Sequence, residues 1–127
     1  AGQSVVVYFY PKDLTSGCTK ESCAFGALHK QFSKAGVVIV GVSPDSLVSH
    51  EKFKAKYSFP FELLADEDQA LCQLFDVWKE KSMYGKKYMG VERSTFLIDA
   101  KGVLRQEWRK VKVDGHAEAV LAAAQAL

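Results

Sequence analysis

The chain has 127 residues, 48% of them apolar or aromatic and 25% charged, with a formal net charge of +2. That length suits one compact core and is short for two, and so average a composition excludes disordered, collagen-like and coiled-coil classes. The basic residues are dispersed, which marks no nucleic-acid surface, and no apolar run approaches the roughly 20 residues needed to span a bilayer. Residues 1–4, Ala-Gly-Gln-Ser, carry no basic leader of a secretory signal. Three cysteines are an odd number at low density. That favours a reducing compartment in which thiols react or simply pack.

Residues 5–10 form a continuous run of β-branched and aromatic side chains, the pattern of a central strand covered on both faces. Pro11 cannot donate to a ladder and ends it, and residues 12–17 read as a polar loop. A helix is expected over 18–35, with Phe25, Leu28 and Phe32 on its inward stripe and Gly36 as the stop. Cys18 lies seven residues before Phe25, so the same stripe carries its thiol at the open end of that helix. Residues 37–42 predict a second buried strand, parallel to the first across a βαβ unit. Ser43-Pro44-Asp45-Ser46 then caps a helix running to Tyr57, with Leu47, Phe53 and Tyr57 inward. A short strand over 61–64 and a short helix through Leu71, Cys72, Leu74 and Phe75 follow, the latter opened by acidic residues 66–68. Residues 76–90 read as an exposed connecting loop. Within it Lys79, Lys81, Lys86 and Lys87 form a solvated face, and Trp78, Tyr84 and Tyr88 line a site mouth or pack locally. Strands over 94–99 and 103–108 predict a hairpin turned by Gly102. Ala117, Val120, Leu121, Ala124 and Leu127 give an amphipathic last helix.

This element order is that of an α/β, thioredoxin-like fold, a central mixed sheet flanked by helices in one domain over 1–127. Fold does not fix function, so the cysteines carry the argument. A cysteine reacts as its thiolate, and unpaired backbone N–H groups at a helix N-terminus favour negative charge there. Cys18 is placed where that effect is largest. Gly17 leaves its approach open, and the Thr15 hydroxyl either caps the helix or donates to the thiolate. The alternative is a small buried hydrophobe. Cys23, five residues on, is a partner thiol or a packed one; in an intact helix the two Cα atoms would stand about 8.6 Å apart. A disulfide closes only below roughly 7 Å, so a bridge requires the helix to unwind. Cys72 reads as packed and inert. His29, His50 and His116 show no metal or triad spacing and read as solvated surface groups.

Pro11, Thr15 and Cys18 match the P-x-x-x-T-x-x-C signature of the peroxiredoxins. The stretch YFYPKDLTSGCTKESCAF, with GVSPDS, LLADED, FDVW and RSTFLID, resembles the peroxiredoxin Q or bacterioferritin comigratory protein subfamily. The resemblance implies Cys18 as peroxidatic nucleophile, Cys23 as resolving thiol, Thr15 and Arg93 as polar partners of thiolate and peroxide, and Pro11 as a shield, with Gly17 beside them at the substrate's approach. It further implies hydrogen peroxide and organic hydroperoxides as substrates, and thioredoxin or glutaredoxin as reductant. No metal or organic cofactor, no nucleic acid and no membrane enter this reading. A monomer is expected, in a bacterial cytoplasm or a plastid. Ser16 stands where the subfamily often has proline. The family usually carries an N-terminal β-hairpin ahead of the first core strand, so a truncated chain with one edge of the fold uncovered is expected. A general thiol–disulfide oxidoreductase, a redox-switched binding protein and a metal-binding module remain open on the residues alone.

Overall fold

A computed structural model describes residues 3–127, with the backbone alone described at Met83; Ala1 and Gly2 of the opening tetrapeptide lie outside the described residues. Five strands build the main sheet: β1 (Ser4–Phe9), β2 (Val37–Ser43), β3 (Glu62–Ala65), β6 (Ser94–Ile98) and β7 (Leu104–Trp108). Their order is β3-β2-β1-β6-β7. β1 and β2 are parallel, as are β2 and β3, whereas β6 runs antiparallel to both β1 and β7. The mixed sheet is thus the expected one, with the most apolar strand at its centre.

Alternation along β1 divides the core. Val6, Tyr8 and Tyr10 pack on one face with Phe25, Phe32, Phe53 and Val120, which come from α1 (Ser16–Ala27), α2 (His29–Lys34), α3 (Leu47–Tyr57) and α5 (His116–Gln125). Phe9 packs on the other face with Val42, Phe96, Val77 and Val91, together with Cys72 of the short helix α4 (Ala70–Leu74). No helix among the described residues is long and apolar enough to cross a membrane.

Several expectations need correction. The helix foreseen over 18–35 is two helices that meet at Leu28 (φ −98°, ψ 3°); the change of direction keeps both Phe25 and Phe32 in the core, ring centroids 5.9 Å apart. Residues 76–90 are not a loop. They hold β4 (Trp78–Met83) and β5 (Lys86–Val91), an antiparallel hairpin turned by Tyr84 and Gly85 at φ 52° and 78°. Positive φ at both turn residues matches the twist of paired strands. Of the three residues foreseen on the inward face of α3, Phe53 is buried as expected, whereas Leu47 and Tyr57 are exposed, because the buried face of the helix carries His50 beside Phe53. The cap at Ser46 is present, its hydroxyl accepting the Ser49 N–H at 3.1 Å.

His50 and His116 are buried rather than solvated. His116 bonds Thr95 Oγ1 through Nε2 at 2.7 Å and lies edge-on to Phe25 and Trp108. Burial, helped by the charge of Arg93, lowers its pKa from 6.5 to about 4. The folded chain therefore binds less proton at this site than the unfolded one, so the stability it contributes is present above pH 6.5 and drains away as pH falls toward 4.

One glycine is needed for packing. A Cβ on Gly41 of β2 would stand 2.7 Å from Leu63 Cδ2 and 2.8 Å from Tyr8 Cζ and Oη. Tyr8 uses that space to reach across and bond Ser22 Oγ of α1 at 2.8 Å, joining the helix to the central strand.

Gly41→Ala should therefore cost about 1–3 kcal/mol in urea unfolding; an unchanged midpoint would mean the Tyr8 ring moves aside freely. Between pH 6.5 and 4, His116→Gln should lose less stability than the parent chain. Equal losses would assign the acid sensitivity to other groups.

Candidate active site

The site forms where β1 hands the chain to α1. The ladder continues one residue past β1, with Tyr10 N–H donating to Val42 O at 3.0 Å, and half-buried Pro11 ends it. Thr15 is the extended N-cap of α1 (φ −81°, ψ 155°), and its carbonyl accepts the Thr19 N–H at 2.9 Å. Ser16, Gly17 and Cys18 make the first turn, where backbone N–H groups have no intrahelical acceptor. The Cys18 thiol is buried there, 1% exposed.

Opposite it stands Arg93, from the junction of β5 and β6. Arg93 Nη2 lies 3.2 Å from Cys18 Sγ, and Nη1 donates to Glu21 Oε1 at 2.7 Å. Glu21 follows Cys18 by three residues, so helical geometry puts both on one face under a single guanidinium fork. Glu21 is buried, and its Oε2 has no hydrogen-bond partner. Burial pushes its carboxyl up to about 7, outweighing the opposing charge of Arg93. The guanidinium is held above its ordinary value, since the Glu21 and Cys18 charges outweigh its own burial. A Cβ on Gly17 would stand 3.3 Å from the same Nη2 that meets the thiol, so glycine leaves the room Arg93 occupies.

Thr15 departs from both alternatives read in the sequence. Its hydroxyl donates to Lys12 O at 2.8 Å, and it neither caps α1 through its side chain nor reaches the thiol. Lys81 of β4 is half-buried rather than part of a solvated face, and its ammonium titrates below the usual range because of burial and the nearby Arg93. Trp78 packs under the hairpin, whereas Tyr84 and Tyr88 are exposed.

Cys18, Cys23 and Cys72 all carry free thiols. Cys23 is exposed on another side of the intact α1, beside a shallow cleft lined by Gly26, Tyr57, Phe59 and Pro60. Between the two thiols, Glu21 and Ser22 are buried and bonded to Arg93 and Tyr8. Cys72 lies on the opposite face of the sheet, its thiol pushed up to about 12 by burial and the neighbouring Asp66, as suits a packed, inert group.

Among the described residues, Asp13, Asp45 and His50 bring potential metal-ligand atoms within 4.8 Å of one another. Those atoms already serve each other and nearby backbone as hydrogen-bond partners, which accounts for their closeness without an ion. Sequence reasoning missed both this cluster and Glu21. The three-residue helical spacing from Cys18 could have flagged Glu21, but the partners of His50 lie 37 and 14 residues away.

The chain matches the AhpC/TSA family over residues 1–107. Peroxiredoxin Bcp of Xanthomonas campestris pv. campestris is 59% identical over 126 residues, spanning 99% of this chain and 79% of that protein. Peroxiredoxin Bcp of Bacillus subtilis is 56% identical over 115 residues, spanning 91% of this chain and 73% of that one. A solved structure of the Xanthomonas campestris bacterioferritin comigratory protein, described for its alkyl peroxide reduction activity, superposes with a TM-score of 0.95 at 58% identity, covering 99% of this chain and 80% of that one. The chain therefore belongs to the AhpC/TSA family, as a thioredoxin-fold peroxiredoxin of the Q or Bcp group, the thiol peroxidases.

Proposed function

We propose that this chain works as a monomeric, single-domain peroxidase in which Cys18 reduces hydrogen peroxide and small organic hydroperoxides and Cys23 resolves the product. The observation that carries the reading is the reach of Arg93 to the thiol at the start of α1, 3.2 Å from Nη2 to Sγ. Alkyl peroxide reduction by the related Xanthomonas campestris protein supports the substrate class.

The Cys18 thiolate attacks one oxygen of the hydroperoxide. An S–O bond forms as the O–O bond breaks, sulfur is oxidised to a sulfenic acid, and the leaving oxygen takes a proton to become an alcohol, or water from hydrogen peroxide. Charge moves from sulfur to that oxygen, so a fixed multidentate cation beside both stabilises the transition state. Arg93 has this role. Gly17 keeps the approach open beside it, Pro11 shields the thiol from bulk water, and the Thr15 hydroxyl turns from the Lys12 carbonyl to the incoming peroxide.

The Cys23 thiol then attacks the sulfenic sulfur, expels water and forms a disulfide. In an intact helix the two Cα atoms stand about 8.6 Å apart, so α1 has to unwind locally. A thioredoxin- or glutaredoxin-type dithiol restores both thiols by exchange, supplying two electrons and two protons. The reducing cytoplasm of a bacterium suits this cycle.

Stoichiometric hydrogen peroxide mixed with reduced protein in a stopped-flow instrument tests the reading. Cys18→Ser should abolish fast consumption. Cys23→Ser should keep the first step and accumulate Cys18 sulfenic acid, trappable by dimedone; fast consumption without Cys18 would end the reading. Arg93→Lys retains a cation but not the fork that serves Cys18 and Glu21 together, so oxidation should slow by about 100-fold with the fold retained. An unchanged rate in that variant would remove Arg93 from the chemistry.

A further inference from the structure

The loop that joins β1 to α1 is held in a costly shape. Leu14 sits at φ +64°, in the left-handed region that a side chain with a Cβ rarely adopts. Such a conformation persists only where surrounding contacts over-determine it.

Asp13, next in the chain, supplies those contacts. Its carboxylate is buried and accepts the Tyr10 hydroxyl at 2.6 Å, the Ser49 hydroxyl at 2.8 Å and His50 Nδ1 at 2.6 Å. Its backbone N–H donates to Asp45 Oδ2 at 2.7 Å, an oxygen that also accepts the Ser43 hydroxyl at 2.7 Å. Two consecutive turns of chain, the end of β2 and the first turns of α3, thereby grip one residue of the loop.

His50 is central to the grip. Its second ring nitrogen, Nε2, meets the Leu64 carbonyl of β3 at 2.9 Å. A carbonyl only accepts, and Asp13 already takes two hydroxyl protons, so both ring nitrogens face acceptors. A neutral imidazole has one N–H and satisfies one of them; the imidazolium satisfies both. Burial works against charge on each partner, yet the hydrogen bonds from His50, Tyr10 and Ser49 hold the Asp13 carboxyl below the usual range, and the bond to Asp13 raises His50.

We propose that His50, as a doubly donating imidazolium, is a positioning residue for peroxide reduction: it clamps Asp13, and through Asp13 fixes the loop that sets Thr15 at the N-cap and Cys18 opposite Arg93. It touches neither thiol nor substrate. The proposal rests on Cys18 being the peroxide-reducing thiol.

Loss of the His50 proton leaves either the buried Asp13 carboxylate one donor short, with the Tyr10 and Ser49 hydroxyls still in place, or the Leu64 carbonyl without its imidazole donor, and the loop loosens. The charged and titratable groups facing His50 are Asp13 and Tyr10 from the β1 end and Asp45 before α3. Glu51 and Lys54 of α3 and Glu62 of β3 line the shallow cleft beside it. Because the bond to Asp13 raises His50 above its ordinary value, the clamp is closed below that raised value and opens as pH rises through it.

The test is the pH profile of the second-order rate of Cys18 oxidation by hydrogen peroxide, in the parent chain and in His50→Gln, with thermal unfolding measured alongside. The parent should show a falling alkaline limb. His50→Gln should lose that limb and react about tenfold more slowly at neutral pH, the scale expected from small misplacement of a reacting group. Ser49→Ala, which removes one donor and keeps the imidazolium, should slow the reaction less and retain the limb. A His50→Gln profile that is parallel to the parent, at whatever stability, overturns the proposal. Should His50→Gln fail to fold, ring 15N shifts of His50 in the parent decide: a doubly protonated ring at pH 7 supports the clamp, a neutral tautomer overturns it. A parent chain with no fast Cys18 oxidation at any pH would instead sink the peroxidase reading itself, a result distinct from both.

Discussion

A single half-buried guanidinium fork holds this site together. Arg93 bonds Glu21 with one nitrogen and approaches Cys18 with another, and both of those partners are buried. A buried carboxyl without a cation would be far costlier than one with it, and Glu21, with Oε2 unpartnered, already titrates up at about 7. The fork therefore has a structural duty and, on the proposed function, a chemical one as well. Helical periodicity makes this economy available: residues 18 and 21 share a face, so one cation placed at the β5–β6 junction meets both.

The same arrangement sets up a conflict between holding the reactive thiol and letting it go. The residues between Cys18 and Cys23 are fastened inward, Glu21 to Arg93 and Ser22 to Tyr8, and Tyr8 fits only because position 41 lacks a side chain. On the proposed cycle these fastenings favour the first step, attack on peroxide, and must be released for the second. Oxidation of the sulfur alters its interaction with Arg93, the first fastening in the row, whereas the loop before α1 is tied separately to the Asp13 cluster. The part of the helix that has to move and the part that has to stay are thus held by different groups.

Much of the framework was legible in the residues. The apolar runs that became β1 and β2 are long and uninterrupted, Gly36 adopts φ 76° after α2, and Ser46 caps α3 through its hydroxyl. What was illegible depended on partners far along the chain. His50 and His116 look like dispersed surface groups until Asp13, Leu64 and Thr95 are brought to them by the sheet. The β4–β5 hairpin hid behind its charges: Lys79, Glu80, Lys81, Lys86 and Lys87 break up any apolar run, and its turn places Tyr84, not an asparagine or aspartate, at φ 52°. At the site, a local signature marks Pro11, Thr15 and Cys18 and resemblance marks Arg93, yet the Thr15 hydroxyl bonds the Lys12 carbonyl rather than the thiol, and Glu21 drew no notice because a glutamate in a helix is ordinarily a solvated one.

The central claim is that contacts which hold Cys18 for peroxide attack are the contacts released to form its disulfide. Hydrogen–deuterium exchange of the backbone amides of α1, before and after one equivalent of hydrogen peroxide, measures this directly. The reduced chain should protect amides 19–25. The oxidised chain should lose protection there while β1 and β2 keep theirs. Protection of α1 that survives formation of a Cys18–Cys23 bridge would contradict the account.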